Sequence, residues 1–313
     1  MSDVSIGRPA RRFLHICYCC SDDTEVATFF VEGLKMRSAM RTTDEYSPGA
    51  ILGIDHDVRS VANFVYDRRG PRISPAIEVQ GWYDPAPVGE PSRDPFEAGI
   101  KALGFAVPSA DEAIERLTAM GCTVVADGSS PFDARHATLV DPRQVTLEVV
   151  EDATLGADDT QMHHLRVTVG NLDEALEFYD MLGFDVVERG HLTDSRFVGH
   201  RSDDGDGEID GDFARLRLPD EPFELRLIQW NSPAGHGRHY AEPYHAGIYR
   251  AAVGVDDTRA SYERLSAGGA VFDRPPAEVE LSGTPVPDLW ITFISDPNGI
   301  PFEFVQRPRA AFK

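Results

Sequence analysis

Two glutamates stand where the sequence is otherwise apolar. Glu148 and Glu303 each lie on a strand-like segment near the end of one half of the chain. A carboxylate inside an apolar layer needs a partner or must stay protonated. A metal ion is one such partner and an arginine is another, so the two residues predict either metal sites or buried ion pairs. Their apolar neighbours are Val145, Leu147, Val149, Phe302, Phe304 and Val305.

Arginines form the second group of residues that could bind a ligand or take part in a reaction. His164, Arg166 and Thr168 alternate along one strand-like segment and therefore share a face. Arg226 and Arg250 follow on later segments of the same half. A guanidinium binds carboxylate or phosphate groups bidentately. If these side chains point inward, they predict a pocket for an anionic or enolate-bearing small molecule. The alternative is a set of surface arginines paired with the abundant acidic residues.

Composition narrows the classes of partner. The chain of 313 residues has 30 Lys and Arg against 52 Asp and Glu, a formal net charge of −22. This balance argues against nucleic acid and against anionic membrane surfaces. Three of the four cysteines lie within four positions of one another, which is a poor disulfide framework. We therefore expect a cytoplasmic protein that acts on a small molecule, with a homodimer as one option.

The chain contains an internal repeat. The segment 94–100 matches 242–248, Trp82 falls on Trp230, and Gly89 falls on Gly237. The second copy has an insertion around residues 277–287, which changes the spacing near its end. A duplicated domain explains these matches. We predict a first domain at 11–150, a polar linker at 151–161 and a second domain at 162–308.

Each copy divides again into two units with one helix and four strands. Helical spacing and capping residues predict helices at 22–33, 109–120, 172–181 and 257–267. In the first unit, strand patterns occur at 12–20, 50–54, 61–67 and 75–82. The same order recurs in the other three units. The chain therefore consists of four βαβββ units, which we expect to pair in sequence order, the first with the second and the third with the fourth.

Several segments resemble one known family. The segment 162–169, followed by 171–179 and 182–184, is similar to the opening strand and helix of the vicinal oxygen chelate superfamily. The segment 296–304, with Asp-Pro-Asn-Gly and Glu303, resembles its closing hairpin, and 141–148 is a weaker version. That superfamily includes glyoxalase I, bleomycin-resistance proteins and type I extradiol dioxygenases. The resemblance implies an α+β fold of two tandem domains, each a pair of βαβββ units that form a curved mixed-sheet cup.

The resemblance also implies a divalent metal inside a cup, held by residues on the first and last strands of the units. It places His15, Glu78 and Glu148 together in the first domain, and His164 with Glu303 in the second. The metal would be Fe, Mn, Zn or Mg, and the sequence leaves open whether any metal binds.

The second domain departs from the family pattern. The position equivalent to Glu78 is Arg226, with Glu224 two residues earlier on the same face. The remaining ligand position, commonly His, falls near Ala102 or Lys101 in the first domain and near Arg250 in the second. A guanidinium has no lone pair to donate to a metal. We therefore expect Arg166, Glu224, Arg226 and Arg250 to contact substrate rather than metal.

Two functions follow from this interpretation. The first is a metal-dependent enzyme that acts on a small oxygenated or aromatic metabolite, as an isomerase, lyase or glyoxalase-like enzyme or by extradiol-type ring cleavage. The missing second His in the second domain argues against ring cleavage, which needs two His and one carboxylate. The alternative is a non-catalytic protein that sequesters a small molecule, as bleomycin-resistance proteins do, with the arginines as anchors. In either case one domain could be a degenerate scaffold for the other.

Overall fold

The computed structural model describes residues 8–200, 209–286 and 289–306. The first unit contains β1 (Ala10–Cys20), α1 (Asp23–Leu34), β2 (Arg37–Arg41), β3 (Tyr46–Pro48), β4 (Asp57–Tyr66) and β5 (Ala76–Asp84). The second contains β6 (Gly99–Val107), α2 (Ala110–Ala119), β7 (Thr123–Gly128), β8 (His136–Val140) and β9 (Thr146–Glu151).

The second half of the chain repeats this order. The third unit contains β10 (Gln161–Thr168), α3 (Leu172–Leu182), β11 (Asp185–Leu192), β12 (Asp210–Arg217) and β13 (Glu224–Ser232). The fourth contains β14 (Gly247–Val255), α4 (Thr258–Ala267), β15 (Ala277–Val279), β16 (Leu289–Ser295) and β17 (Pro301–Gln306). Short 3-10 helices lie at Ala50–Leu52 and Arg196–Val198. None of the helices in these ranges is both long and apolar enough to cross a membrane.

The four predicted helices are confirmed, and each begins at a polar cap. Asp22 accepts hydrogen bonds from the backbone N–H groups of Thr24 and Glu25, and Ser109 accepts one from that of Glu112. These bonds satisfy donors that the first turn of a helix leaves free. The strand predicted at 50–54 was wrong. That segment is a 3-10 turn closed by Gly53 at a φ of 83°, and the polar edge strand Arg37–Arg41 takes its place in the sheet.

The strands form two curved mixed sheets, which confirms the predicted fold class. The first sheet runs β15-β16-β17-β14-β1-β5-β4-β2, with β3 also paired to β4. The second runs β11-β12-β13-β10-β6-β9-β8-β7. We call the concave side of each sheet the first cup and the second cup. The inner strand pairs β1–β5, β14–β17, β10–β13 and β6–β9 are parallel.

The pairing of the units differs from the sequence-order pairing that we expected. The first sheet combines the first unit with the fourth, through antiparallel β1 and β14. The second combines the second unit with the third, through antiparallel β6 and β10. The connections 85–98 and 233–246 carry the chain between the sheets, and they touch each other at the bridges Val88–His245 and Glu97–His236. Each cup is therefore built from both halves of the chain.

The largest hydrophobic core holds the two sheets together. It contains residues from the central strands of both sheets, such as Phe13 on β1 and Phe105 on β6, and residues from all four helices. The helices contribute Phe30, Leu117, Tyr179 and Leu265, among others. Because strand side chains alternate between faces, the opposite faces of these strands line the cups.

Candidate active site

The first cup brings together three of the predicted ligand residues. His15 comes from β1, Glu78 from β5 and Glu303 from β17. His15 Nε2 lies 3.3 Å from Glu303 Oε2 and 3.5 Å from Glu78 Oε2. All three residues are buried, with exposed fractions of 8%, 5% and 6%. Within the described ranges they form the only group of three His, Cys, Asp or Glu residues with ligand atoms close enough to hold a metal ion.

Strand register explains this convergence. Cys17, two residues after His15, lies opposite Glu78 on one side of β1 and opposite Arg250 on the other. Glu303 lies opposite Ala252 on the next strand. The closing hairpin fixes β17, because Asp296 accepts hydrogen bonds from the backbone N–H groups of Asn298 and Ile300.

Arg250 lies beside the three residues and contacts both carboxylates. Its Nε donates to Glu303 Oε2 at 3.1 Å and its Nη2 donates to Glu78 Oε2 at 2.8 Å. Burial raises the pKa of Glu303, but the contacts with His15 and the charge of Arg250 outweigh burial and lower that pKa below its ordinary value. Glu303 is therefore ionised at neutral pH and available as a ligand.

An apolar cavity opens above His15, Glu78 and Glu303. Its wall includes Val279 and Leu281, which belong to the insertion that the sequence showed in the second copy. Phe64 lies opposite Glu78 in the sheet, and its ring meets the His15 ring edge-on at 5.7 Å. The sequence analysis did not identify this wall, although the alternating apolar residues of the insertion were a signal. The other apolar wall residues include Met40, Leu289, Ile291 and Val305.

The second cup holds the remaining predicted site residues in hydrogen bonds and ion pairs. Glu148, which we expected beside His15, lies instead beside His164, with Glu148 Oε2 at 2.7 Å from His164 Nε2. Arg166 Nε donates to Glu148 Oε1 at 2.6 Å. His136, which the sequence analysis missed, lies 3.8 Å from the same carboxylate. The expected grouping of His164 with Glu303 was also wrong, because the two residues lie in different sheets.

The contacts of His164 in the second cup favour a structural network. Burial and the charge of Arg226 lower the pKa of His164 to about 4, so its imidazole is neutral at pH 7. That imidazole contacts Glu148 through Nε2 and His163 through Nδ1, at 2.9 Å. Both ring nitrogens therefore already have protein partners. Gly104 makes room for the ring, since a Cβ at that position would lie 2.0 Å from His164 Cε1.

Glu224 and Arg226 also form ion pairs with each other and with neighbouring charged residues. Arg226 donates to Asp133 at 2.6 Å and to Glu224 at 3.1 Å. Arg215 and Arg217 donate to the same Glu224 carboxylate. Burial raises the pKa of Glu224, but the arginines outweigh it and lower that pKa to about 2. The predicted arginine pocket is thus divided: Arg166 and Arg226 pair with acids in the second cup, while Arg250 lies in the first.

Aromatic side chains cover the inner face of the second cup. Phe197 packs edge-on against His136 and Phe132. Thr138 donates a hydrogen bond to the Phe197 carbonyl at 2.5 Å. The Phe132 ring also lies 4.9 Å from the Arg226 guanidinium. The two cups, although built from repeated units, therefore differ among the described residues: those of the first border an apolar cavity above three potential ligands, and those of the second form ring contacts and ion pairs.

Sequence comparison identifies the family. Residues 161–304 match the model of the Glyoxalase/Bleomycin resistance protein/Dioxygenase superfamily. The matched residues, which span the third and fourth units, belong to this superfamily. The resemblance stated from the opening strand and the closing hairpin is therefore confirmed.

Relatives within the superfamily include enzymes. The chain is 25% identical over 152 residues to a protein of Vibrio cholerae named "Probable lactoylglutathione lyase", a match that covers 47% of this chain and 91% of the relative. The fold of the present chain is similar to that of glyoxalase I from Zea mays, with a TM-score of 0.66 and 17% identity. That similarity covers 97% of this chain and 94% of the maize chain.

Proposed function

We propose that this protein is a divalent-metal-dependent enzyme and that the first cup is its active site. The observation that carries the proposal is the convergence of His15 Nε2, Glu78 Oε2 and Glu303 Oε2 within 4.8 Å of one another. One nitrogen and two carboxylate oxygens are ordinary ligands for Mg, Mn, Fe(II) or Zn. The separations of 3.3 and 3.5 Å from His15 suit ligands that surround one ion at about 2.1 Å.

The cavity above these residues suggests the kind of substrate. Its wall is largely apolar, while its base presents the two carboxylates and the imidazole. A substrate that fits has an apolar ring or chain at one end and two neighbouring oxygens at the other. A bound metal would supply polarisation of those oxygens and stabilisation of an enolate. His15, Glu78 and Glu303 would hold the metal, the wall would exclude water, and Arg250 would orient the carboxylates.

The ligand set favours proton transfer over ring cleavage. Ring-cleaving iron sites use two His and one carboxylate, and here the set is one His and two carboxylates. We therefore propose an isomerase or lyase class of reaction that passes through an enolate. The metal identity, a cytoplasmic location and a dimeric assembly stay predictions.

A second candidate function is metal-free binding of a small molecule. One observation favours it: Arg250 already donates to both carboxylates, so the centre has a cation without a metal. In that case the first cup would sequester its ligand without turnover. Metal content and catalysis separate the two candidates.

The test begins with metal content. Protein purified without metal-affinity resin is brought to equilibrium with a saturating concentration of Mn²⁺, Co²⁺ or Zn²⁺, and bound metal is measured by equilibrium dialysis. We expect about one equivalent in the wild type and in Glu148→Gln, and none in His15→Gln or Glu303→Gln. Glu148→Gln is the matched control, because it is the equivalent buried carboxylate of the other cup. Circular dichroism verifies that each variant is folded.

Catalysis is then tested with a simple probe. The ketone 2-hydroxy-1-phenylethanone has an apolar ring and two neighbouring oxygens, and its enolisation in D₂O places deuterium on the carbon that bears the hydroxyl group. We expect NMR to show metal-dependent exchange that Glu303→Gln abolishes. Oxygen uptake with catechol and no exchange would favour ring cleavage instead. Binding of the ketone without metal and without exchange would favour the second candidate.

A further inference from the structure

Arg250 occupies a position at which this chain differs from its own repeat. On β14 it lies opposite Cys17 of β1, and the equivalent place on β6 is Ala102, opposite Arg166 of β10. The superfamily resemblance puts a metal-ligating His at this position. A guanidinium is always protonated and has no lone pair for a metal. The residue is therefore a cation at a place where a ligand is expected.

The contacts of Arg250 involve the proposed ligand atoms themselves. Its Nη2 donates to Glu78 Oε2 and its Nε donates to Glu303 Oε2. These are the same two oxygens that lie 3.5 and 3.3 Å from His15 Nε2. A metal held by His15, Glu78 and Glu303 would have to share both oxygens with the guanidinium.

Burial strengthens the interaction of the Arg250 charge with the two carboxylates. Arg250 is only 5% exposed, and the ring of Phe293 lies 6.0 Å from its guanidinium carbon. Its Nη1 is buried and has no hydrogen-bond partner among the described residues. Charges interact more strongly away from water. The guanidinium therefore adds one positive charge directly beside the two carboxylates.

We propose that Arg250 is an internal cation that competes with the divalent metal for Glu78 and Glu303 and keeps metal affinity low. The inference rests on the proposed metal centre. It has two consequences. The metal-free centre is a stable folded state, because the guanidinium keeps the two buried carboxylates from repelling each other. Metal binding is weaker than it would be with a neutral residue at position 250.

Three variants separate charge from ligation at this position. Arg250→Lys keeps the charge and is the matched control, Arg250→Gln removes the charge, and Arg250→His removes the charge at pH 8 and adds a lone pair. The dissociation constant for Co²⁺ is measured by titration calorimetry at pH 8. We expect at least tenfold tighter binding in the Gln and His variants, and binding within about threefold of the wild type in the Lys variant.

Thermal unfolding gives a second readout that does not depend on activity. A ligand that binds only the folded state stabilises it more at a given concentration when it binds more tightly. Co²⁺ should therefore raise the melting temperature of Arg250→Gln more than that of the wild type. If the Gln variant is unfolded without metal, recovery of its native circular-dichroism spectrum on addition of Co²⁺ also supports the inference.

Three other results would decide between the role proposed for Arg250 and its alternatives. Folded Gln and His variants that bind Co²⁺ no more tightly than the wild type would overturn the inference and leave Arg250 as a positioning residue. A wild type that binds no metal, beside Gln or His variants that bind one equivalent, would support the inference while removing the proposed metal-dependent function. Absence of metal from every variant would remove both.

Discussion

Glu303 Oε2 lies 3.3 Å from His15 Nε2, although 288 positions separate the two residues in the sequence. The contact exists because β1 pairs with β14 and β14 pairs with β17 in one sheet. Glu148, which is closer to His15 in sequence, lies in the other sheet beside His164. The candidate active site thus combines residues of the first and the fourth unit.

The shared sheets predict that the two halves stay together after the linker is cut. A protease site inserted between Gly156 and Ala157, which are both exposed, should give two fragments on a denaturing gel. Because β1–β14 and β6–β10 join the halves through continuous sheets, we expect the fragments to elute as one species of native mass and to separate only in urea. Size-exclusion chromatography is the measurement. Two separately folded fragments in native buffer would contradict the observed pairing.

The apolar cavity predicts that a larger side chain at its wall blocks the substrate but leaves the metal. Leu281 is half-buried in the wall, so Leu281→Trp can place its ring in empty space with little strain on the core. We expect deuterium exchange of 2-hydroxy-1-phenylethanone to fall at least tenfold, with unchanged Co²⁺ content. Val187→Trp is the control, because Val187 is 49% exposed and lies on β11 of the other sheet. Equal exchange in the two variants would place the substrate elsewhere.

The buried carboxylate of Glu224 predicts a large stability effect in the second cup. Glu224→Gln would leave Arg215, Arg217 and Arg226 without their common anion. Breaking a buried ion pair by removing one partner costs about 3 kcal/mol, and we expect a loss of this size in urea unfolding at pH 7. Glu263→Gln, on the exposed face of α4, is the control and should change stability by less than about 0.5 kcal/mol.

The lowered pKa of Glu224 predicts a specific pH dependence of the stability difference between the wild type and Glu224→Gln. The pKa of Glu224 is lowered from 4.5 to about 2 in the folded protein, because the arginines outweigh the effect of burial. The unfolded state therefore takes up the proton first as pH falls, and the stability from this group is present above about pH 4.5 and lost toward pH 2. The stability difference between wild type and Glu224→Gln should be constant from pH 7 to 5 and shrink below 4.5. A difference that does not change with pH would argue against a lowered pKa.

Several features of this protein could be predicted from local sequence. The helix beginnings at Asp22 and Ser109 follow from side chains that cap the first turn. Glu303 could be named as a carboxylate on an otherwise apolar strand, and the resemblance to the superfamily named His15 and Glu78. The strand at 50–54 could not be predicted correctly. Its apolar residues resemble a strand, while the glycines at 49 and 53 close a tight turn.

The sequence did not show which of the site residues would lie together. Four similar units offer four similar first strands, and each exposes the same backbone donors and acceptors at its free edge. The alternation of side chains determines which face His15 points to, but it says nothing about whether β6 or β14 becomes the neighbour of β1. Pairing in sequence order would have put Glu148 beside His15, and the observed pairing puts Glu303 and Arg250 there instead.

The sequence by itself determined the four units, their helices, the superfamily resemblance and the candidate metal ligands, because these depend on local patterns. Only the tertiary structure decided that the described residues of the first cup border a cavity while those of the second form ion pairs and aromatic contacts. The physical reason is that this difference depends on partners far apart in the chain. Arg226 reaches Asp133 across 93 positions, and Phe197 reaches Thr138 across 59.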